Sequence, residues 1–141
     1  MKPKLIGLGT KRKVYDMGDG TVIKVQNKDF GFSGVYSNIQ EISLFNEFVK
    51  RKTIERPLFN LGEIIDHHPS GYWLRMKKYS QERIELMDDY LSQVLDVIPM
   101  MDANAANIGV TEDSHMVLLD YEGIDCNCFF KSTNPYVAGV L

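Results

Sequence analysis

The stretch from Met101 to Gly123, MDANAANIGVTEDSHMVLLDYEG, constrains the fold most strongly. Ile108 to Val110 is a short apolar run, Glu112-Asp113-Ser114 has turn chemistry, and Val117 to Leu119 is apolar again. That succession predicts a tight β-hairpin between two short loops. A hairpin returns its ends to one place, so polar residues just outside its strands become neighbours. Asn107 precedes the first strand, Asp120 follows it by thirteen residues at the end of the second, and Asp102 lies five residues before Asn107. Oxygen ligands of this kind suit Mg²⁺ held against phosphates, because that ion usually takes only one or two protein groups. Asp102 would stand beside such a metal as a base or an orienting carboxylate. Asn and Asp are also ordinary turn residues, and the stretch alone leaves both readings open.

At 141 residues, 44% hydrophobic and 25% charged, the chain suits one globular domain with a real core. No apolar run approaches a membrane span, and Met1-Lys2-Pro3-Lys4 leads into no signal-peptide core, so the expectation is no membrane and a cytoplasmic setting. Cys126 and Cys128 are too close for an unstrained disulfide and lack companions for a zinc site, which fits reduced thiols. A net charge of −3 argues against a nucleic-acid binder. The distribution is uneven: residues 1–81 hold 14 Lys/Arg against 8 Asp/Glu, and residues 82–141 hold 2 against 11. A basic and an acidic half suit a polyanion with a divalent cation, although two solvated faces would give the same counts.

Leu5 to Thr10 and Lys13 to Asp16 read as two strands around the glycine turn of GLGTKRKVY. Gly7 and Gly9 would let backbone amides approach an anion. Gly18-Asp19-Gly20 signals a second turn, followed by the strand Thr21 to Val25. Side chains alternate along a strand, so Val22 and Lys24 share a face. A lysine in such an apolar run is either an edge-strand guard against aggregation or a partner for anions. Asn27 to Tyr36 reads as a loop, after which Ser37 opens a helix with Gln40 three residues on as a capping box. Ile42, Phe45, Phe48 and Val49 continue it to the block at Pro57. Glu41 shares a face with Phe45 and Phe48, whereas Glu47 points toward Arg51 and solvent. Leu61 to Asp66 and Tyr72 to Lys77 read as strands joined at His67 to Gly71, and Gln81 to Ile98 as the longest amphipathic helix.

The order of these features resembles the protein kinase-like superfamily, which includes protein kinases and aminoglycoside-type small-molecule phosphotransferases. D-x-x-x-x-N from Asp102 to Asn107, then an apolar strand ending in Asp120, is similar to that fold's catalytic and metal-binding loops. Gly7, Gly9 and Val14 fall where its glycine-rich loop has G-x-G-x-x-G-x-V, with Arg12 in place of the third glycine. Val22-Ile23-Lys24 resembles the strand whose lysine pairs with α/β-phosphates. The short length, NIG and LLDYEG look most like the small kinase-like proteins carried by bacteriophages.

The resemblance implies an α+β fold: an antiparallel sheet with one capped helix, a long helix, a catalytic-loop hairpin and a truncated C-lobe. Residues 1–80 would form a nucleotide lobe and residues 81–141 a reduced C-lobe. It implies ATP and Mg as cofactors. Gly7, Gly9, Val14, Val22, Lys24, Met76, Lys77 and Tyr79 would surround the nucleotide, with backbone groups of Lys77 to Tyr79 on the adenine. Glu41 would hold Lys24, Asn107 and Asp120 would hold the metal, and Asp102 would act on the attacking hydroxyl. A cationic Arg12 in the flap would reach toward the phosphates. Met100, Met101 and Asn104 depart from the protein-kinase pattern, and no activation segment or substrate lobe follows Gly123. Three functions remain open: a minimal protein kinase acting on a bacterial host protein or on itself, a non-catalytic kinase-like protein that binds and redirects a partner, and a small-molecule phosphotransferase.

Overall fold

The computed structural model describes residues 2–8, 11–55, 60–81, 108–112, 116–122 and 124. The fold is α+β, with an antiparallel N-terminal sheet and one described α-helix. The chain divides into two compact units. The first contains residues 1–43 and 63–78, the second residues 44–62 and 79–141.

In the first unit, β1 (Lys4–Leu8), β2 (Arg12–Asp16), β3 (Thr21–Gln26), β5 (Ile64–His67) and β6 (Trp73–Lys77) form one sheet in the order β1-β2-β3-β6-β5. Every neighbouring pair is antiparallel. The β2–β3 turn follows from DMGDG. Gly18 and Gly20 have φ of 79° and 87°, which side-chain-bearing residues rarely adopt. Asp16 accepts from the Gly18 amide at 2.9 Å and Asp19 from the Thr21 amide at 3.1 Å. Such Asx bonds are why Asp favours turns. Alternation along β3 buries Val22, Lys24 and Gln26 on one face. Because β3 is the middle strand of five, Lys24 is not an edge-strand guard.

Helix α1 (Ser33–Glu55) begins four residues before the Ser37 start that the sequence suggests. The preceding loop is partly a 3-10 turn, Lys28–Phe30, capped by the Asn27 side chain. The early start is a tertiary effect. Gln26 Oε1, on the neighbouring strand, accepts from the Val35 amide at 2.7 Å and so satisfies one of the unpaired donors of the first turn. Ser37 instead bonds back to the Ser33 carbonyl at 3.1 Å. Gly34 allows close approach, because a Cβ there would lie 2.3 Å from the Lys11 carbonyl oxygen.

In the second unit, β7 (Ile108–Val110) and β8 (Met116–Leu118) form the expected hairpin, and β8 also pairs in parallel with β4 (Asn60–Leu61). The run Leu61 to Asp66 is therefore not one strand. Gly62 donates to the Leu118 carbonyl at 2.8 Å, and the chain re-enters strand geometry only at Ile64, in the other sheet. Gly62 and Glu63 separate the two pairings, and the apolar pattern alone does not show that break. Leu44, Phe48, Leu61, Ile108, Val117, Leu118, Tyr121 and Ile124 are buried in this unit. The predicted Gln81 to Ile98 helix, the Cys126–Cys128 pair and the loop from Met101 to Asn107 lie outside the described residues. No described helix is long and apolar enough to cross a membrane.

At the β2 end, Lys78 Nζ lies 2.6 Å from Asp16 Oδ2. This bond, followed by the Gly18 amide, holds the Asp16 carboxyl below its ordinary 3.8. A depressed folded pKa contributes stability at pH values above the unfolded value and loses it as pH falls through the folded one. Lys78→Met is therefore expected to lower stability modestly above about pH 4 and to match wild type in strong acid. Urea unfolding across that range checks this; a difference independent of pH would mean the bond does not form.

Candidate functional site

Lys24 sits at the centre of the first unit's sheet, opposite Val14 on β2 and Leu74 on β6. Its side chain is only 7% exposed, and Nζ reaches Glu41 Oε1 at 2.9 Å and Oε2 at 3.2 Å. Glu41, on α1, has no exposed surface. Of the two candidate glutamates, the structure thus brings Glu41 to Lys24. Glu47 pairs with Lys50 at 3.5 Å in the second unit, an i,i+3 pair.

Two further described residues join this cluster, and sequence reasoning gave neither of them this role. Arg12 is buried on β2, and its Nη1 donates both to Glu41 Oε1 and, at 3.0 Å, to Asn38 Oδ1. Asn38, fully buried one turn before Glu41, donates through Nδ2 to the Gly71 carbonyl at 2.9 Å and the Lys24 carbonyl at 3.3 Å. Helical spacing of three puts Asn38 and Glu41 on one face, so that signal was present in the sequence. Arg12 was expected in a flap facing phosphates. It lies in the strand itself and is turned onto the Glu41 carboxylate. The alternation of β2 and its register opposite Gln26 decide that orientation.

Other expected nucleotide residues lie in the same unit. Gly7 pairs with Val14 next to a bulge in β1, and a Cβ on Gly7 would come 3.4 Å from Val14 Cβ. Val22 and Met76 are buried partners across β3 and β6. Part of the backbone from Lys77 to Tyr79, expected at adenine, is engaged within this unit. The Lys77 amide donates to the Glu63 carbonyl and the Lys78 amide to the Gly20 carbonyl, both at 2.9 Å. Neither of those amides is available to a base, because the sheet edge and the β2–β3 turn have taken them. Gly9 lies outside the described residues.

In the second unit, Tyr79 stacks closely on β7: a Cβ on Gly109 would lie 2.6 Å from Tyr79 Cβ. Ser80 accepts from the Val110 amide at 2.9 Å. Asp120, expected at the end of the second hairpin strand, lies two residues beyond β8 and is half-buried. The next residue, Tyr121, is buried and donates from its hydroxyl to the Gly62 carbonyl at 2.9 Å, which fixes the chain beside Asp120. Asp102 and Asn107 lie outside the described residues. A carboxylate at a hairpin end fits Mg²⁺, which needs few protein ligands, and a buried lysine amid apolar strands fits phosphate oxygens.

No family model matches the chain, and no curated protein matches it. Among solved structures, it is similar to a medium-resolution structure of the bifunctional kinase-methyltransferase WbdD. The identity is 17%, over 85% of this chain and 32% of that one, with a TM-score of 0.48. A co-crystal structure of WbdD with a kinase inhibitor matches at 13% identity over 96% of this chain and 34% of that one, with a TM-score of 0.45. The chain thus spans about a third of the length of the solved proteins it matches.

Proposed function

We propose that the chain has a minimal kinase-like fold that binds ATP with Mg²⁺ and transfers a phosphoryl group to a protein hydroxyl. The observation that carries this reading is the buried ion pair between Lys24 on the central strand and Glu41 on α1. Burying a lysine and a glutamate costs desolvation that an apolar pair of the same volume avoids, so the pair suits a use beyond stability. On this reading Lys24, oriented by Glu41, bears on the α/β-phosphates. Asp120 and Asn107 would hold Mg²⁺, whose chemistry is to neutralise charge on the transferring group. Asp102 would align the attacking hydroxyl or accept its proton. Gly7 and Gly9 would cover the phosphates, with Val14, Val22 and Met76 around the base. The acceptor would be a protein of a bacterial host, or the chain itself.

A second reading is a non-catalytic kinase-like protein that binds and redirects a partner. It is favoured by the commitment of the Lys77 and Lys78 amides to the sheet, which removes two donors from the stretch expected to meet adenine. One assay separates the two: labelled ATP with Mg²⁺, comparing wild type with Lys24→Ala and Asp120→Asn. Transfer by wild type that is lost in both variants supports the kinase. No transfer, together with no thermal shift by Mg-ATP, sinks it in favour of the binder. Transfer that appears only when hydroxylated small molecules are added would assign a small-molecule phosphotransferase instead.

A further inference from the structure

Lys24 and Arg12 approach one carboxylate from two different strands. A carboxylate has two oxygens and about four acceptor positions, so it can serve both cations at once. Arg12 shares Oε1 with Lys24, and Lys24 spans both oxygens. The Nη1 that donates to Glu41 donates also to Asn38 Oδ1, and Asn38 is in turn tied to the backbone of β3 and to Gly71. Arg12 therefore has a fixed direction and, because a guanidinium does not deprotonate in proteins, a permanent charge.

We propose that Arg12 is a positioning residue for Lys24: it takes up part of the Glu41 carboxylate and so spares the lysine's charge for a phosphate anion. This rests on the nucleotide reading above and deepens it. With a single cation on Glu41, the ammonium's field would be largely cancelled by the carboxylate beside it. An incoming polyphosphate would then have to compete with Glu41 for Lys24. With Arg12 on Oε1, Glu41 keeps its place and its neutralising partner while Lys24 turns toward the anion. The role of Arg12 is exerted through Glu41 and not by touching the phosphates, in contrast to the flap contact that its sequence position suggests.

The test is calorimetric binding of Mg-ATP to the full chain in wild type, Lys24→Met, Arg12→Met, Glu41→Gln and the Arg12→Met/Glu41→Gln double variant. Lys24→Met is expected to abolish binding and Arg12→Met to weaken it roughly tenfold, because a Glu41 carboxylate without the guanidinium competes more strongly with the phosphates for Lys24. Once Glu41 is a neutral amide, adding Arg12→Met should change affinity by less than about twofold, because a residue acting through a partner loses its effect with that partner. A tenfold loss that persists in the Glu41→Gln background makes Arg12 a direct contact and overturns the proposal. So does an Arg12→Met protein that binds like wild type. If Arg12→Met does not fold, Arg12→Lys takes its place; it should stay within about threefold of wild type, and a larger loss in a folded protein counts against the proposal. Wild type that binds no Mg-ATP, or Lys24→Met that binds normally, removes the nucleotide reading itself and this inference with it. Wild-type binding with an indifferent Arg12 removes the inference alone.

Discussion

Glu41→Ala is expected to destabilise the protein by about 3–5 kcal/mol, the usual cost of breaking a buried ion pair from one side. The magnitude follows from burial. Glu41 has no exposed surface, and its carboxylate is shared by Lys24 and Arg12, both of them buried. Removing it takes from both cations the anion they have in common, where water cannot easily replace it. The exposed pair of Lys50 and Glu47 is the internal control: Glu47→Ala should change stability by no more than about 0.5 kcal/mol. Urea unfolding of the two variants decides the matter. A Glu41→Ala loss near that of Glu47→Ala would mean the cluster is solvated and that its geometry has no special role. Replacing all three charged residues with apolar ones should recover much of the lost stability, since the penalty lies in unmatched charge.

Gly34→Ala is expected to destabilise by about 2 kcal/mol, although helix propensity by itself points the other way. Alanine in a helix is worth about 1 kcal/mol more than glycine. At Gly34, however, a Cβ would stand 2.3 Å from the Lys11 carbonyl oxygen, 2.8 Å from Gln26 Oε1 and 3.0 Å from Gln26 Cα. Two of these three atoms are backbone, so they yield only if α1 or the strands shift. Overpacking of this kind typically costs about 1–3 kcal/mol, and here it also threatens the Gln26 bond to the Val35 amide. Ser43→Ala, at an exposed position of the same helix, should show the opposite sign, with a gain of about a few tenths of a kcal/mol at most. A more stable Gly34→Ala protein would show that the helix start does not press on the sheet.

The local pattern was the legible part. Period-two alternation placed Lys24 on one face of its strand with Val22, and DMGDG and HHPSG placed the turns that set β2 against β3 and β5 against β6. The β7–β8 hairpin came from apolar runs on either side of a polar turn. The start of α1 was misplaced by four residues because Ser37 and Gln40 look like a cap locally, while the donor of the first turn is met by Gln26 from a strand nine residues away from Val35. The split between β4 and β5 was missed for a related reason: Leu61 follows the second sheet and Ile64 the first, and nothing in LGEII marks that change of partner.

What the sequence determined by itself was therefore the set of short segments and the face on which each chemical group would stand. Such information is local, because alternation and turn chemistry act over a few residues of chain. Only the tertiary structure decided which groups would meet. Glu41 lies 17 residues from Lys24 and 29 from Arg12, and Asn38 lies 33 from Gly71. Those meetings depend on the register of three strands and the seating of one helix, which hydrophobic burial and backbone pairing settle together. The face on which the lysine stands could be read from its neighbours in the chain, but neither its place in the middle of the sheet nor the arginine that shares its carboxylate could.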